Sequence, residues 1–201
     1  ILGAANFARE QMGPAIHTAD GAQLFALATS DPAKAAGLSV TYAEHGRQMF
    51  SFDPPDGWTI RTGVETPDNA MPEGQSPSPR VVSIMPEGGE GSMWTGLWSP
   101  TGVDTLDAAA QYLKSLAPTM LSEVEPTSSS KISVNGAPAV LFEGTGVRAK
   151  RALVYKVAAI TLGGDQIAVA AFIGTQQAFD AYKTDLSMTL QSIKATGGRT
   201  R

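Results

Sequence analysis

The sequence predicts an α+β fold, an antiparallel sheet flanked by helices, with most of the sheet in the second half of the chain. Three observations predict it. Asn135-Gly136 stands between two strand-like runs, and that dipeptide best tolerates the positive φ angles of a two-residue hairpin turn. From residue 131 to residue 173 such runs follow one another with only short polar tips between them. Apolar residues at steps of three and four mark a helix on either side of this meander, and those helices can cover its sheet.

Residues 131–134 and 137–145 are the first two strands of the meander, and residues 147–150 form a polar tip. Residues 151–162 run back as a long strand, which Gly163-Gly164-Asp165 turns into residues 166–173. Ala152, Val154, Val157, Ala159, Ile160, Ile167, Val169 and Phe172 do not alternate strictly with polar residues. These strands are therefore expected to have apolar cover on both faces for part of their length. Thr175 is placed to cap a helix whose stripe is Phe179, Tyr182, Leu186, Leu190 and Ile193, ending before Gly197-Gly198. Upstream, Leu106, Ala109, Leu113, Leu116 and Met120 repeat the stripe behind Thr105, and Pro118 should end or kink that helix near its last turn. Core packing is the expected role of both stripes.

Nearer the N-terminus, residues 47–52 alternate like a strand, Asp53-Pro54-Pro55-Asp56-Gly57 is a turn, and residues 58–61 are the returning strand. Trp58 reads as a core anchor. Residues 67–79, rich in Pro, Gly, Ser and Glu, read as a loop. Residues 80–85 and 92–99 are further strands, joined by Pro86-Glu87-Gly88-Gly89-Glu90-Gly91. This loop is neither a metal nor a phosphate cradle: two carboxylates are too few for a hard cation, and the loop feeds a strand rather than a helix. Trp94 and Trp98 are four residues apart and share a strand face. Core packing is expected of them, with an aromatic binding face as the alternative.

With 201 residues, 42% hydrophobic and 17% charged, the chain is one domain or one domain plus a fragment. A net charge of -4 offers nucleic acid no long-range attraction, so no nucleic-acid partner is expected. Arg148, Lys150 and Arg151 sit on a hairpin tip and read as a solvated turn. The absence of cysteine excludes thiolate catalysis, disulfides and sulfur-based zinc sites. No stretch is long and apolar enough for a transmembrane segment. His17 and His45 are the two histidines, which excludes a histidine-based acid-base or metal site from residue 46 onward. Ser128-Ser129-Ser130-Lys131 matches the Ser-x-x-Lys pattern of penicillin-recognising enzymes, whose serine opens a helix. Lys131 begins a strand instead, so a Ser-rich loop is expected there.

Residues 1–38 have a different pattern. Ile1-Leu2 is the stub of a strand, residues 8–18 can be a helix and residues 23–29 a second strand. Between the first two, Gly3, Ala5 and Ala8 form a degenerate dinucleotide fingerprint. Together with Pro14-Ala15-Ile16, Asp20-Gly21-Ala22 and Ser30-Asp31-Pro32-Ala33-Lys34-Ala35, this stretch resembles the opening of the Gfo/Idh/MocA family of NAD(P)-dependent dehydrogenases. The resemblance implies a phosphate-binding turn at Gly3, Ala5, Asn6, Phe7 and Ala8, a cofactor-ribose position near Thr29 and Ser30, NAD or NADP as cofactor, and a cytoplasmic oxidoreductase. It then stops. Asp31 stands where the family usually has arginine, and no lysine precedes a proline as the family's catalytic Glu-Lys-Pro motif requires. Residues 1–38 are therefore expected to be an incomplete, Rossmann-like β-α-β fragment, truncated or fused, with residues 39–45 as its junction.

Residues 46–196 resemble the Mog1/PsbP-like superfamily, including bacterial DcrB-type lipoproteins. The carrying features are the strand leading into the turn at Pro55, Asp56, Gly57 and Trp58, the helix between early and late strands, the Asn135-Gly136 hairpin, and the last helix after a long meander. This resemblance implies an α/β/α sandwich around an antiparallel sheet. It also implies a binding or assembly role without cofactor or chemistry, an unknown protein or small ligand as partner, and a periplasmic or cell-envelope setting. Residues 197–201 are expected to be a disordered tail.

Overall fold

The computed structural model describes residues 22–25, 39–44, 47–62, 80–87 and 92–196, the first of these by its backbone. Strands β1 (Ala22–Phe25), β2 (Ser39–Glu44) and β3 (Arg47–Phe52) form one sheet, with a last strand, Lys194–Ala195, on its far edge. The other sheet comprises β4 (Trp58–Thr62), β5 (Val82–Pro86), β6 (Met93–Trp98), β7 (Ser122–Val134), β8 (Ala137–Arg148), β9 (Arg151–Thr161) and β10 (Ile167–Gly174), in the order β4-β5-β6-β10-β9-β8-β7. Every pairing in both sheets is antiparallel. Three helices accompany them among the described residues: α1 (Leu106–Met120), α2 (Gln176–Ala181) and α3 (Lys183–Ser192), the last leading into β11 (Lys194–Ala195). The chain is α+β.

The meander forms as its turns predict. Asn135 and Gly136 take φ angles of 48° and 81° between β7 and β8, and Ala149 and Lys150 take 51° and 64° between β8 and β9. One expectation changes: the Ser-rich stretch is strand, not loop, because β7 starts at Ser122 and keeps pairing with β8 through two register shifts. Bulges of this kind let a strand accommodate Pro126, which has no N–H to give the ladder. All of β10 is buried, as are Ala158, Ala159 and Ile160 of β9, so the double cover expected of these strands is present.

Register separates the two faces of the larger sheet. Trp98, Val169 and Ala159 lie across neighbouring strands on one face, and α1 covers it through the bond from Trp98 Nε1 to Tyr112 Oη, 3.1 Å long. Phe172 and Lys156 lie opposite one another on the other face, where Lys156 Nζ stands 5.9 Å from the Phe179 ring of α2. Helix α1 starts as predicted, with Thr105 Oγ1 accepting from Ala108 N at 3.1 Å. It runs through Pro118 and stops at Met120, the Leu121 N–H still reaching Ala117 O. The C-terminal helix, expected as one piece, breaks at Tyr182, where φ is -103° and ψ 15°. The break sits where the Trp58 ring meets Tyr182 edge-on at 5.3 Å.

Two further expectations are corrected. Residues 47–52 and 58–61 do not form a hairpin: β3 pairs with β2 and β11, β4 pairs with β5, and the Pro-Pro turn carries the chain between sheets. The stretch expected as a junction, residues 39–45, contains β2, whose Val40 and Tyr42 are fully buried. Tyr42 stacks on Phe50 with centroids 4.9 Å apart, and both join one core cluster with Ile84, Leu97 and Phe172 of the larger sheet. β1 adds to β2 antiparallel, Leu24 opposite Val40. The strand expected within residues 23–29 thus finds its partner in a neighbouring hairpin.

Candidate functional site

Gly3, Ala5, Asn6, Phe7, Ala8, Thr29 and Ser30, the positions of the cofactor reading, lie outside the described residues. Trp94 and Trp98 share a face, as their spacing requires, but Trp98 does not present a ring to a ligand: it is 1% exposed and bonded to Tyr112 beneath α1. Burial of a large ring with its N–H satisfied is the stable arrangement. Trp94 is half-buried and lies across Gly96, where an added Cβ would collide with the indole. Gly96 therefore makes room for a ring lying along its own strand.

Two groups that the sequence reading did not single out come together instead. At one end of the larger sheet a cleft of about 450 Å³ opens between three connections. The β2–β3 end contributes Glu44, Arg47 and Met49, the loop from β6 to α1 contributes Ser99 to Asp104, and the β9–β10 turn contributes Gly164, Asp165 and Gln166. The turn holds its shape through three successive left-handed residues, with φ 86° at Gly163, 59° at Gly164 and 59° at Asp165, closed by Leu162 N to Gln166 O at 2.9 Å. Ser99 Oγ donates to Ile167 O at 2.7 Å and pins the second loop to β10. With its amide oxygen toward Arg47, Gln166 accepts from both Nη atoms at 3.1 Å. The guanidinium is thus fixed at the rim, with Asp104 and Asp165 as acidic neighbours in the lining.

The second group is a polar row crossing three strands. Ser128 Oγ donates to Glu143 Oε2 at 3.0 Å, and Lys156 Nζ meets Glu143 Oε1 at 2.6 Å. The hydrogen bonds from Lys156 and then Ser128 hold the Glu143 carboxyl below its usual pKa. A carboxylate so committed is a poor base, and the row is best read as cross-strand bonding. Lys131 pairs with Val140 and Ser128 with Glu143, three positions apart, so the two members of the Ser-x-x-Lys pattern face opposite sides of the sheet. Counting outward from the turns at 135–136 and 149–150 puts Glu143 opposite both Ser128 and Lys156, so this row was legible in principle. The cleft was not, because its three connections are distant in sequence.

Among the described residues no group of three or more His, Asp or Glu side chains is placed to hold a metal ion. No described helix is long and apolar enough to cross a membrane.

No protein-family model and no curated protein sequence matches the chain. Solved structures do. The cyanobacterial PsbP (CyanoP) of Synechocystis sp. PCC 6803 is 12% identical, with a TM-score of 0.51 over 88% of this chain and 94% of that one. A protein of unknown function from Pseudomonas aeruginosa is 15% identical, with a TM-score of 0.42 over 78% and 96% of the two chains. LpqN of Mycobacterium tuberculosis, described as involved in cell envelope biogenesis, is 11% identical, with a TM-score of 0.41 over 73% and 83%. The likeness to CyanoP gives the chain a PsbP-like fold.

Proposed function

We propose that the chain is a binding or assembly module without chemistry of its own, and that its ligand or partner is held at the sheet-end cleft. One observation carries the reading: three connections converge on a recess lined by Glu44, Arg47, Asp104 and Asp165, one of them tied to β10 through Ser99 and the other two tied to each other through Arg47 and Gln166. Loops braced by a scaffold in this way are where binding function concentrates. A rim of mixed sign suits a polar partner carrying both charges, a protein surface or a small zwitterion. The PsbP-like fold is compatible with such a role, and a composition rich in Thr, Ser, Gly and Pro and sparse in Lys suits an exported setting, which cell fractionation would check.

The test is a thermal-shift screen of small zwitterions and charged peptides, followed by amide NMR titration of every compound that raises the melting temperature. Saturable shifts at Arg47, Asp104 and Gly164, lost in Arg47→Ala, are the expected result. Hits whose shifts map away from these residues would remove the cleft from consideration. NAD(H) and NADP(H) belong in the same screen. No saturable binding is expected of them, and binding would restore the oxidoreductase reading.

A further inference from the structure

Among the described residues β7 ends the larger sheet, and its backbone groups alternate between facing β8 and facing outward. Ser133 sets the phase. It stands opposite Pro138, which has no N–H to offer, and its carbonyl accepts from Gln191 Nε2 of α3 at 3.2 Å. Pairing is regular from Ser128 to Val134, so the N–H and C=O of Lys131 and Ser129 point outward as well. Residues 128–131 are exposed.

Both flanks of this run are closed. On one side Gln191 holds the Ser133 carbonyl and accepts from Asn135 N at 3.1 Å. On the other, Pro126 and two register shifts interrupt the ladder. Edges are commonly shut by a proline, a bulge or a charged side chain, above all lysine; here the middle is regular, Ser128, Ser129 and Ser130 are small, and Lys131 is the one charge, which an acidic partner would neutralise. Lys131 makes no ion pair among the described residues.

We infer that residues 128–132 are a strand-addition site for an extended segment of a partner protein carrying a carboxylate opposite Lys131. Main-chain bonds to Ser129 and Lys131 supply the attachment, Gln191 and Pro126 limit its length, and the lysine selects an acidic side chain. The site is distinct from the cleft, so either assignment can fail alone.

The experiment titrates the full chain with an N-acetylated nonapeptide of alternating threonine and valine bearing a central glutamate, and follows amide NMR signals. Saturable changes centred on the Ser129 and Lys131 amides are expected. Ser129→Pro removes one outward donor, leaves the β8 pairing intact and should abolish saturation, with the fold checked by thermal melting. Lys131→Glu should weaken the glutamate peptide about threefold or more, and a peptide with central lysine should recover the loss. Absence of saturation, or saturation that survives both variants, overturns the site. Concentration-dependent changes at the same amides without peptide would assign the edge to a second copy of the chain and overturn the partner.

Discussion

Tyr42 shows how much a single side chain can be asked to do. Its ring stacks on Phe50 in the core, and its hydroxyl donates to the Arg80 carbonyl at 3.1 Å. Burial, reinforced by the negative charge of Glu44, raises its pKa well above the ordinary phenol value. A group whose folded pKa is raised contributes stability below its unfolded pKa and loses it as pH climbs beyond that. The wild type should therefore destabilise steeply above about pH 10. Tyr42→Phe should start about 1 kcal/mol less stable at neutral pH but show a shallower alkaline loss in urea melts. Glu143 has the opposite sign. Held below its usual value by Lys156 and Ser128, it stabilises the fold at neutral pH and loses that contribution as pH falls through the carboxylate range. Melting temperatures of wild type and Glu143→Gln should converge on acidification, and a constant gap would show that the row is idle. The Tyr42 role was not legible in sequence, since an aromatic in a six-residue strand looks like many others, whereas that of Glu143 could be reached by counting register outward from the two turns that flank its twelve-residue strand.

At the scale of elements, turns carried the most information. Asn135-Gly136 was legible because both residues suit a left-handed backbone. Ala149-Lys150 adopts the same geometry without that chemistry, with φ of 51° and 64°, which strains the tip, alanine being costly there. Ala149→Asn should raise stability by about 0.5 kcal/mol, a melting-temperature rise of about 1–2 °C, and no rise would mean the tip relaxes in solution. The cap at Thr175 was legible for a similar reason, its hydroxyl accepting from Ala178 N at 3.2 Å. The break at Tyr182 was not, since a stripe at helical spacing continues unchanged through it: Leu186 N still reaches Tyr182 O at 2.9 Å. The pairing of β3 was also hidden. A Pro-Pro-Asp-Gly turn says that the chain turns, but not that it leaves one sheet for another.

For the whole molecule, the division between the sheets matters most. The main meander could be read from local signals, whereas the smaller sheet depends on contacts such as β3 with β11, whose residues lie more than 140 positions apart. Limited proteolysis should yield a resistant core beginning before Ser39, because cutting within β2 would expose Val40 and Tyr42. A stable fragment starting near residue 46 would instead make β2 dispensable. The order β4-β5-β6-β10-β9-β8-β7 also implies a sequence of events in time. β7 to β10 are joined by tight turns and close short loops, whereas β6 meets β10 only through pairs such as Trp98 with Val169, some seventy residues apart. Loop-closure entropy favours forming the local pairings first. Mutations in the β8–β9 pairing should therefore slow refolding, and those at β4 should chiefly hasten unfolding, in stopped-flow measurements. The β6–β10 seam would then be the last to close, as the step that joins the two halves of the sheet into one cooperative unit.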